Sequence, residues 1–248
     1  MFELSLQSAK TLKECVDAIA TLIDEGHFEV GADGVKLRAM DPSQVAMVDF
    51  FLPKTAFEKY DVKNEARIAL NMDDLSRVTS RYRPEEKLTL KLDDSKARLT
   101  MVFKGKHTRR FNLPLLDITH APTRQPKIEF DSRMRIQGGA LKEALKDAAL
   151  VSSYVVLRAD TEGFVIEANG DKGNVTIETA KNDEVLLEHA VGKESRSMFP
   201  LEYLNDILKA ADAGAPVSLD LKTNAPLRVE YSIGDAAVVY YLAPRVEG

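Results

Sequence analysis

Leu12-Lys13-Glu14 recurs as Leu141-Lys142-Glu143, an offset of 129 (141 − 12) in a chain of 248 residues. The same offset carries Asp33-Gly34 onto Glu162-Gly163, and sets Val35, Leu37 and Ala39 against Phe164, Ile166 and Ala168. It pairs Met72, Leu75 and Val78 with Leu201, Leu204 and Ile207, then Leu88, Leu90 and Leu92 with Val217, Leu219 and Leu221. Near the end it aligns Phe111 and Leu113 with Tyr240 and Leu242. Identities are few, but the apolar pattern keeps nearly one register over a whole half-chain, which predicts two structurally similar halves.

Each half reads alike. A strand (Phe2–Leu6; Met134–Ile136) leads into an amphipathic helix, with Leu12, Cys15, Val16, Ile19, Leu22 and Ile23 at helical spacing in the first half and Leu141, Leu145, Ala148 and Val151 in the second. Alternating strands follow around the Asp-Gly or Glu-Gly turn: Phe28–Val30 and Val35–Ala39, then Tyr154–Ala159 and Phe164–Ala168. Next come a strand (Val45–Leu52; Asn174–Thr179) and a second helix, expected over Met72–Tyr82 and Leu201–Ala211. Pro200 suits the first turn of the last helix, where a missing N–H matters least. Three closing strands, such as Leu88–Leu92, Arg98–Phe103 and Arg109–Leu113, complete each half. The fold class is therefore α+β, two like domains with two helices on one face of antiparallel sheets. The expected boundaries are residues 1–116 and 130–248. Residues 117–129, with Pro122 and Pro126 and few periodic apolar positions, form an extended connector.

Composition narrows the class. A hydrophobic content of 44% and a charged content of 29% are ordinary for a globular chain, and Cys15 is the single cysteine, so an intrachain disulfide is impossible and a reducing, intracellular compartment is expected. Met1 leads into a Phe-Glu-Leu-Ser-Leu alternation rather than a signal peptide, and no run approaches the roughly 18 apolar residues of a membrane span, so no membrane partner is expected. The net charge of −5 argues against nucleic-acid binding over the whole surface, so the placement of the positive charges decides.

Several stretches carry a family resemblance. Gly34-Val-Lys-Leu-Arg-Ala-Met-Asp-Pro-Ser-Gln-Val-Ala-Met-Val48 resembles the signature segment of the proliferating-cell nuclear antigen family of sliding clamps. So do Ala225-Pro-Leu-Arg-Val-Glu-Tyr231, Tyr240-Tyr-Leu-Ala-Pro-Arg-Val-Glu247, Leu22-Ile-Asp-Glu25 and Tyr203-Leu-Asn205. The resemblance runs along essentially the whole chain, and its Arg-Ala-Met-Asp-Pro-Ser and Leu-Ala-Pro-Arg-Val-Glu motifs are closer to archaeal than to eukaryotic members. It implies a trimeric ring, helices inside and sheets outside, that encircles double-stranded DNA and confers processivity on a DNA polymerase. It also implies a clamp loader and clients such as a flap endonuclease and a DNA ligase. The location would be cytoplasmic and nucleoid-associated in an archaeon, nuclear in a eukaryote. A homotrimer and one subunit of a heterotrimer remain open.

DNA in a central hole would be met through its phosphates, so the helix faces should be basic. The helices offer Lys10, Lys13, Arg77, Arg81, Lys142, Lys146 and Lys209, spaced i,i+3 or i,i+4 within the first three helices. The resemblance further implies a hydrophobic pocket for client peptides. Its walls would be Met40, Gln44, Val45, Pro226, Tyr241, Leu242, Ala243 and Pro244, with Ile128 supplying the connector's apolar contact. His120, Arg124 and Lys127 make this connector more basic than the family's usual acidic one. Subunits of the family join edge to edge, and the matching edges are Thr108–Leu113, with Arg109, Arg110 and Phe111, and Asn174–Thr179, with Val175, Ile177 and Thr179.

Enzymatic signatures are lacking. Gly170-Asp-Lys-Gly-Asn is too short and wrongly ordered for a phosphate-binding loop, and Gly138-Gly139 lacks the second half of such a motif. The histidines His27, His107, His120 and His189 have no metal-ligand spacing, so neither a cofactor nor a metal is expected. Asp41 fits a turn, and Asp73-Asp74 a helix N-terminus, better than metal ions. The alternative from another class is an Asp-dependent nuclease, which needs a convergent carboxylate cluster.

Overall fold

The computed structural model describes residues 1–93, 97–117, 123–171 and 173–245; His120, Pro122 and Val246-Glu247 lie outside the described residues. The N-terminal half runs β1 (Phe2–Leu6), α1 (Lys10–Ala20), β2 (Glu25–Val30), β3 (Gly34–Met40), β4 (Ala46–Pro53), a short 3-10 turn (Lys54–Ala56), β5 (Lys59–Val62), β6 (Ala66–Asn71), α2 (Met72–Thr79), β7 (Lys87–Asp93), β8 (Arg98–Lys104) and β9 (Thr108–Pro114). The C-terminal half runs β10 (Ser132–Gln137), α3 (Gly138–Ala149), β11 (Tyr154–Ala159), β12 (Gly163–Gly170), β13 (Gly173–Ala180), β14 (Leu186–Val191), β15 (Ser195–Pro200), α4 (Leu201–Leu208), β16 (Pro216–Leu221), β17 (Leu227–Ile233) and β18 (Ala236–Leu242). Two compact units result: Met1–Gln44, Val48–Thr123 and Ile233–Val238 form the first, and Val45–Met47, Arg124–Ser232 and Val239–Gly248 the second.

In several elements the repeat is structural to the residue. Adding 129 to the bounds of β2 gives those of β11 (25 + 129 = 154; 30 + 129 = 159), and the same shift turns β6 into β15, α2 into α4 and β8 into β17. Strand order follows: β5-β1-β7-β8-β9 in the first half is matched by β14-β10-β16-β17-β18 in the second, and β4-β3-β2-β6 by β13-β12-β11-β15. This is the α+β fold of two similar domains, with antiparallel pairing in ladders such as β1–β7, β7–β8 and β8–β9 of the first half and β10–β16, β11–β12 and β12–β13 of the second.

Local chemistry explains the elements. In β1, Phe2, Leu4 and Leu6 alternate inward, and α1 turns Cys15, Val16, Ala18 and Ile19 into the core. The α2 start is capped by Asn71, whose side-chain oxygen accepts the Asp74 N–H at 2.9 Å, while Asp73 and Asp74 oppose the helix dipole. Gly34 and Gly163, equivalent under the shift, are demanded by close approach: a Cβ would lie 2.3 Å from the Leu52 carbonyl in one and 2.2 Å from the Thr179 carbonyl in the other.

Four sequence expectations need correction. Leu22 and Ile23, expected at helical spacing in α1, lie beyond its last residue, Ala20. The second helices end at Thr79 and Leu208 rather than Tyr82 and Ala211, because the chain leaves through tighter i→i−3 bonds (Tyr82 N to Thr79 O, 3.1 Å; Ala211 N to Leu208 O, 3.0 Å). Pro200 is the extended N-cap of α4 and the last residue of β15, not a first-turn residue. Val151 falls beyond α3, whose last residue is Ala149.

Candidate functional site

The basic helix residues are largely committed within the chain. On α1, Lys10 lies 3.7 Å from Glu14, and Lys13 forms an ion pair with Asp17, whose other oxygen accepts the Ser76 hydroxyl of α2 at 3.2 Å. Arg77 is 3.8 Å from Asp74, and Lys146 is 2.7 Å from Glu143. These pairs are exposed or half-exposed, so water screens each of them. Lys142 differs from its counterpart Lys13. The residue four further on is Lys146, where the first half has Asp17, and Lys142 turns instead to the end of α4, donating to the carbonyls of Lys209 (3.3 Å) and Ala211 (2.5 Å). Partial burial lowers its ammonium pKa. Arg81 and Lys209, expected on helices, sit just past them: Arg81 in the turn after α2 and Lys209 as the C-cap of α4. Both are exposed, and neither has an ion pair among the described residues.

The expected pocket residues fall in both units. In the first, Asp41-Pro42-Ser43-Gln44 is a tight turn: the buried Asp41 carboxylate accepts the Ser43 N–H at 3.1 Å, and Gln44 sits at φ 58°. The turn leaves Met40 37% exposed at the rim of a groove of about 840 Å³, with Pro42, Gln44, Arg38, Asp49 and Thr123 also in its walls. In the second unit, the Ala243 N–H donates to the Val45 carbonyl at 2.8 Å, and the Gln125 side-chain amide donates to the Tyr241 hydroxyl at 2.8 Å. Ile128, Pro226, Ala243 and Pro244 are half-buried. Leu242 is corrected. Strand alternation places it with Val238 and Tyr240 on the core face, fully buried, so it is not a pocket wall.

Gln125 and Arg245 escaped the sequence reading. The first fastens the connector to β18; the second, its guanidinium 4.2 Å above the Tyr154 ring, holds the tail on β15 through its N–H to the Met198 carbonyl (2.8 Å). Neither has a local signal, since each depends on a distant partner.

Both expected edges are terminal strands: β9 ends one sheet and β13 another. Along β13, Val175, Ile177 and Thr179 share a half-buried face. Arg110 is exposed and Phe111 half-buried on β9. Arg109, also on β9, turns its guanidinium in to Glu86 at 2.5 Å and to the Arg81 carbonyl at 2.9 Å. Leu150, 74% exposed after α3, was not expected. Among the described residues, no group of three or more His, Cys, Asp or Glu could hold a metal ion, and no helix is long and apolar enough to cross a membrane.

The comparisons with known proteins agree along the whole length. The family model for the N-terminal domain of proliferating cell nuclear antigen matches residues 1–121, and that for its C-terminal domain matches residues 124–246. DNA polymerase sliding clamps of Methanococcus vannielii and Thermococcus gammatolerans are 36% and 35% identical, covering 100% of both chains and 99% of both chains respectively. A crystal structure of PCNA from Thermococcus kodakaraensis superimposes with a TM-score of 0.94 at 29% identity, over 99% of this chain and 100% of that one. A structure of A. fulgidus PCNA bound to the C-terminal region of FEN-1 does so with a TM-score of 0.90 at 32% identity, over 100% of both. The chain therefore belongs to the proliferating cell nuclear antigen family of DNA polymerase sliding clamps.

Proposed function

We propose that three copies of this chain close into a ring around duplex DNA, give a DNA polymerase its processivity, and tether other replication and repair proteins. The observation that carries ring closure is the repeat. Under the 129-residue shift β18 corresponds to β9, and β13 to β4. Within the second unit, the end of β18 is bonded to the segment preceding β4 through Ala243 and Val45. The same pairing of edges is open to β9 of one copy and β13 of the next, both of them terminal strands. Native mass spectrometry tests this: three copies are expected, and a monomer at working concentration would refute it. Trimers formed by the purified chain alone separate a homotrimer from a subunit that needs other chains.

DNA would be held by topology and weak phosphate contacts from the helix residues named above, without reading bases. Clients would dock by an apolar motif against Met40, Gln44, Val45, Ile128, Pro226, Tyr241, Ala243 and Pro244, with residues 117–129 as connector between domains 1–116 and 130–248. The complex of A. fulgidus PCNA with the C-terminal region of FEN-1 favours flap endonuclease as one client; the polymerase, clamp loader and ligase follow from the family. The chain would perform no chemistry of its own and work in the cytoplasm of an archaeal-type cell, as its relatives suggest.

A further inference from the structure

Glu86, just ahead of β7, is a carboxylate only 5% exposed. It accepts the Arg83 N–H at 2.9 Å and an Arg109 Nη2 at 2.5 Å, and that same nitrogen donates to the Arg81 carbonyl at 2.9 Å. Arg109 stands on β9, its guanidinium 5.1 Å from the Phe103 ring and 5.9 Å from the Phe111 ring, and these rings meet edge-on with centroids 5.7 Å apart. Gly105, in the turn between β8 and β9, makes room: a Cβ there would sit 2.9 Å from Glu86 Cγ. The Arg109 Nε is buried with no acceptor. That stranded donor is a cost, so the guanidinium is held there by its bonds to Glu86 and the Arg81 carbonyl and by the two rings.

A carboxylate, a shared guanidinium and two aromatic faces thus fix the inner side of a terminal strand. A strand ordered before association loses less freedom when a partner strand pairs with it. We propose that Glu86 is a positioning residue for chain-to-chain association: through Arg109 it presets β9 for pairing with β13 of a second copy. It also ties that edge to the turn bearing the exposed Arg81. The proposal rests on the reading of β9 and β13 as ring-closing edges, which the control below tests separately.

Glu86→Gln keeps the shape and removes the charge. Sedimentation of the full chain over a concentration series should show association about tenfold weaker or more. Amides of Thr108–Leu113 should exchange faster, and, because the ion pair is buried, the dilute single chain should melt lower as well. Arg109→Met keeps an apolar stem beside the two rings but removes the nitrogen that donates to both Glu86 and the Arg81 carbonyl, so it should weaken association as well, and it replaces Glu86→Gln should that variant not fold. Ile177→Asp on β13 is the control. If Ile177→Asp abolishes association while the Glu86 and Arg109 variants leave it unchanged, the positioning role is overturned and ring closure stands. Association untouched by Ile177→Asp would sink the edge reading and the proposal together. A lowered melting temperature with unchanged association would mark Glu86 as merely structural, and overturn the proposal too.

Discussion

Lys142 stands on α3 and Lys209 caps the end of α4, and the structure predicts opposite consequences for removing them. Lys209 is exposed and has no ion pair among the described residues, so its charge is available to a phosphate. Each phosphate neutralised contributes about 0.9 to the slope of log affinity against log salt. In a three-copy ring, Lys209→Gln removes one charge per copy, so the slope should fall by about 0.9 if one copy touches DNA and by about 2.7 if all do. Lys142 is half-buried, and its ammonium is spent on two backbone carbonyls at the end of α4. Lys142→Met keeps the apolar stem but leaves those carbonyls without their donor. Discounted for partial exposure, the loss is about 1 kcal/mol, or roughly 4 °C in melting temperature for a domain of this size. Its salt slope should move little. Fluorescence anisotropy with a short duplex over a salt series, run beside thermal melting, separates the two. The reasoning fails if Lys142→Met lowers the slope as much as Lys209→Gln and melts like the parent chain.

Two further outcomes follow from local electrostatics. Burial, with Glu14 adding to it, pushes the Cys15 thiol up to about 12, leaving on the order of one thiolate in ten thousand at pH 8; alkylation followed by intact mass should find the native chain unmodified and the unfolded chain labelled, and prompt native labelling would contradict this. Asp160 is held below the usual carboxylate range by the Glu162 N–H (2.8 Å), then by the Gly163 N–H (3.2 Å) and by Arg158 and His189, with desolvation opposing. A depressed folded pKa contributes stability above the unfolded value of about 3.9 and loses it as pH falls through the folded one, so Asp160→Asn should lose stability less steeply than the parent below about pH 4; parallel melting curves would refute it.

What the sequence revealed of the fold was what apolar periodicity can carry. The strands β1, β7 and β8 and the four helices were legible because their buried positions are Leu, Ile, Val, Met and Phe at the right spacing. The strands β5, β6, β14 and β15 were not. In β15 the inward positions are Ser195, Ser197 and Phe199, and the two serines, buried and bonded to the Lys193 and Lys222 carbonyls, make the alternation polar over its first two steps. β5 has no buried residue, and β6 buries Ile68, Ala69 and Leu70 in succession, so neither shows a period of two. At the candidate sites, residue type was legible and partnership was not. Lys13 and Lys142 occupy one repeat position, yet Asp17 stands four residues after the first and Lys146 four after the second. That single exchange sends one ammonium to a carboxylate on its own helix and the other to the carbonyls of a neighbouring helix. The backbone tolerates the exchange because it is set by the apolar faces beneath, which the repeat preserves. Repeat symmetry therefore predicts where a basic side chain starts but not where its charge ends. If the chain closes around DNA as proposed, Lys209 and Arg81, exposed and without an ion pair among the described residues, are the helix-end cations most open to a phosphate.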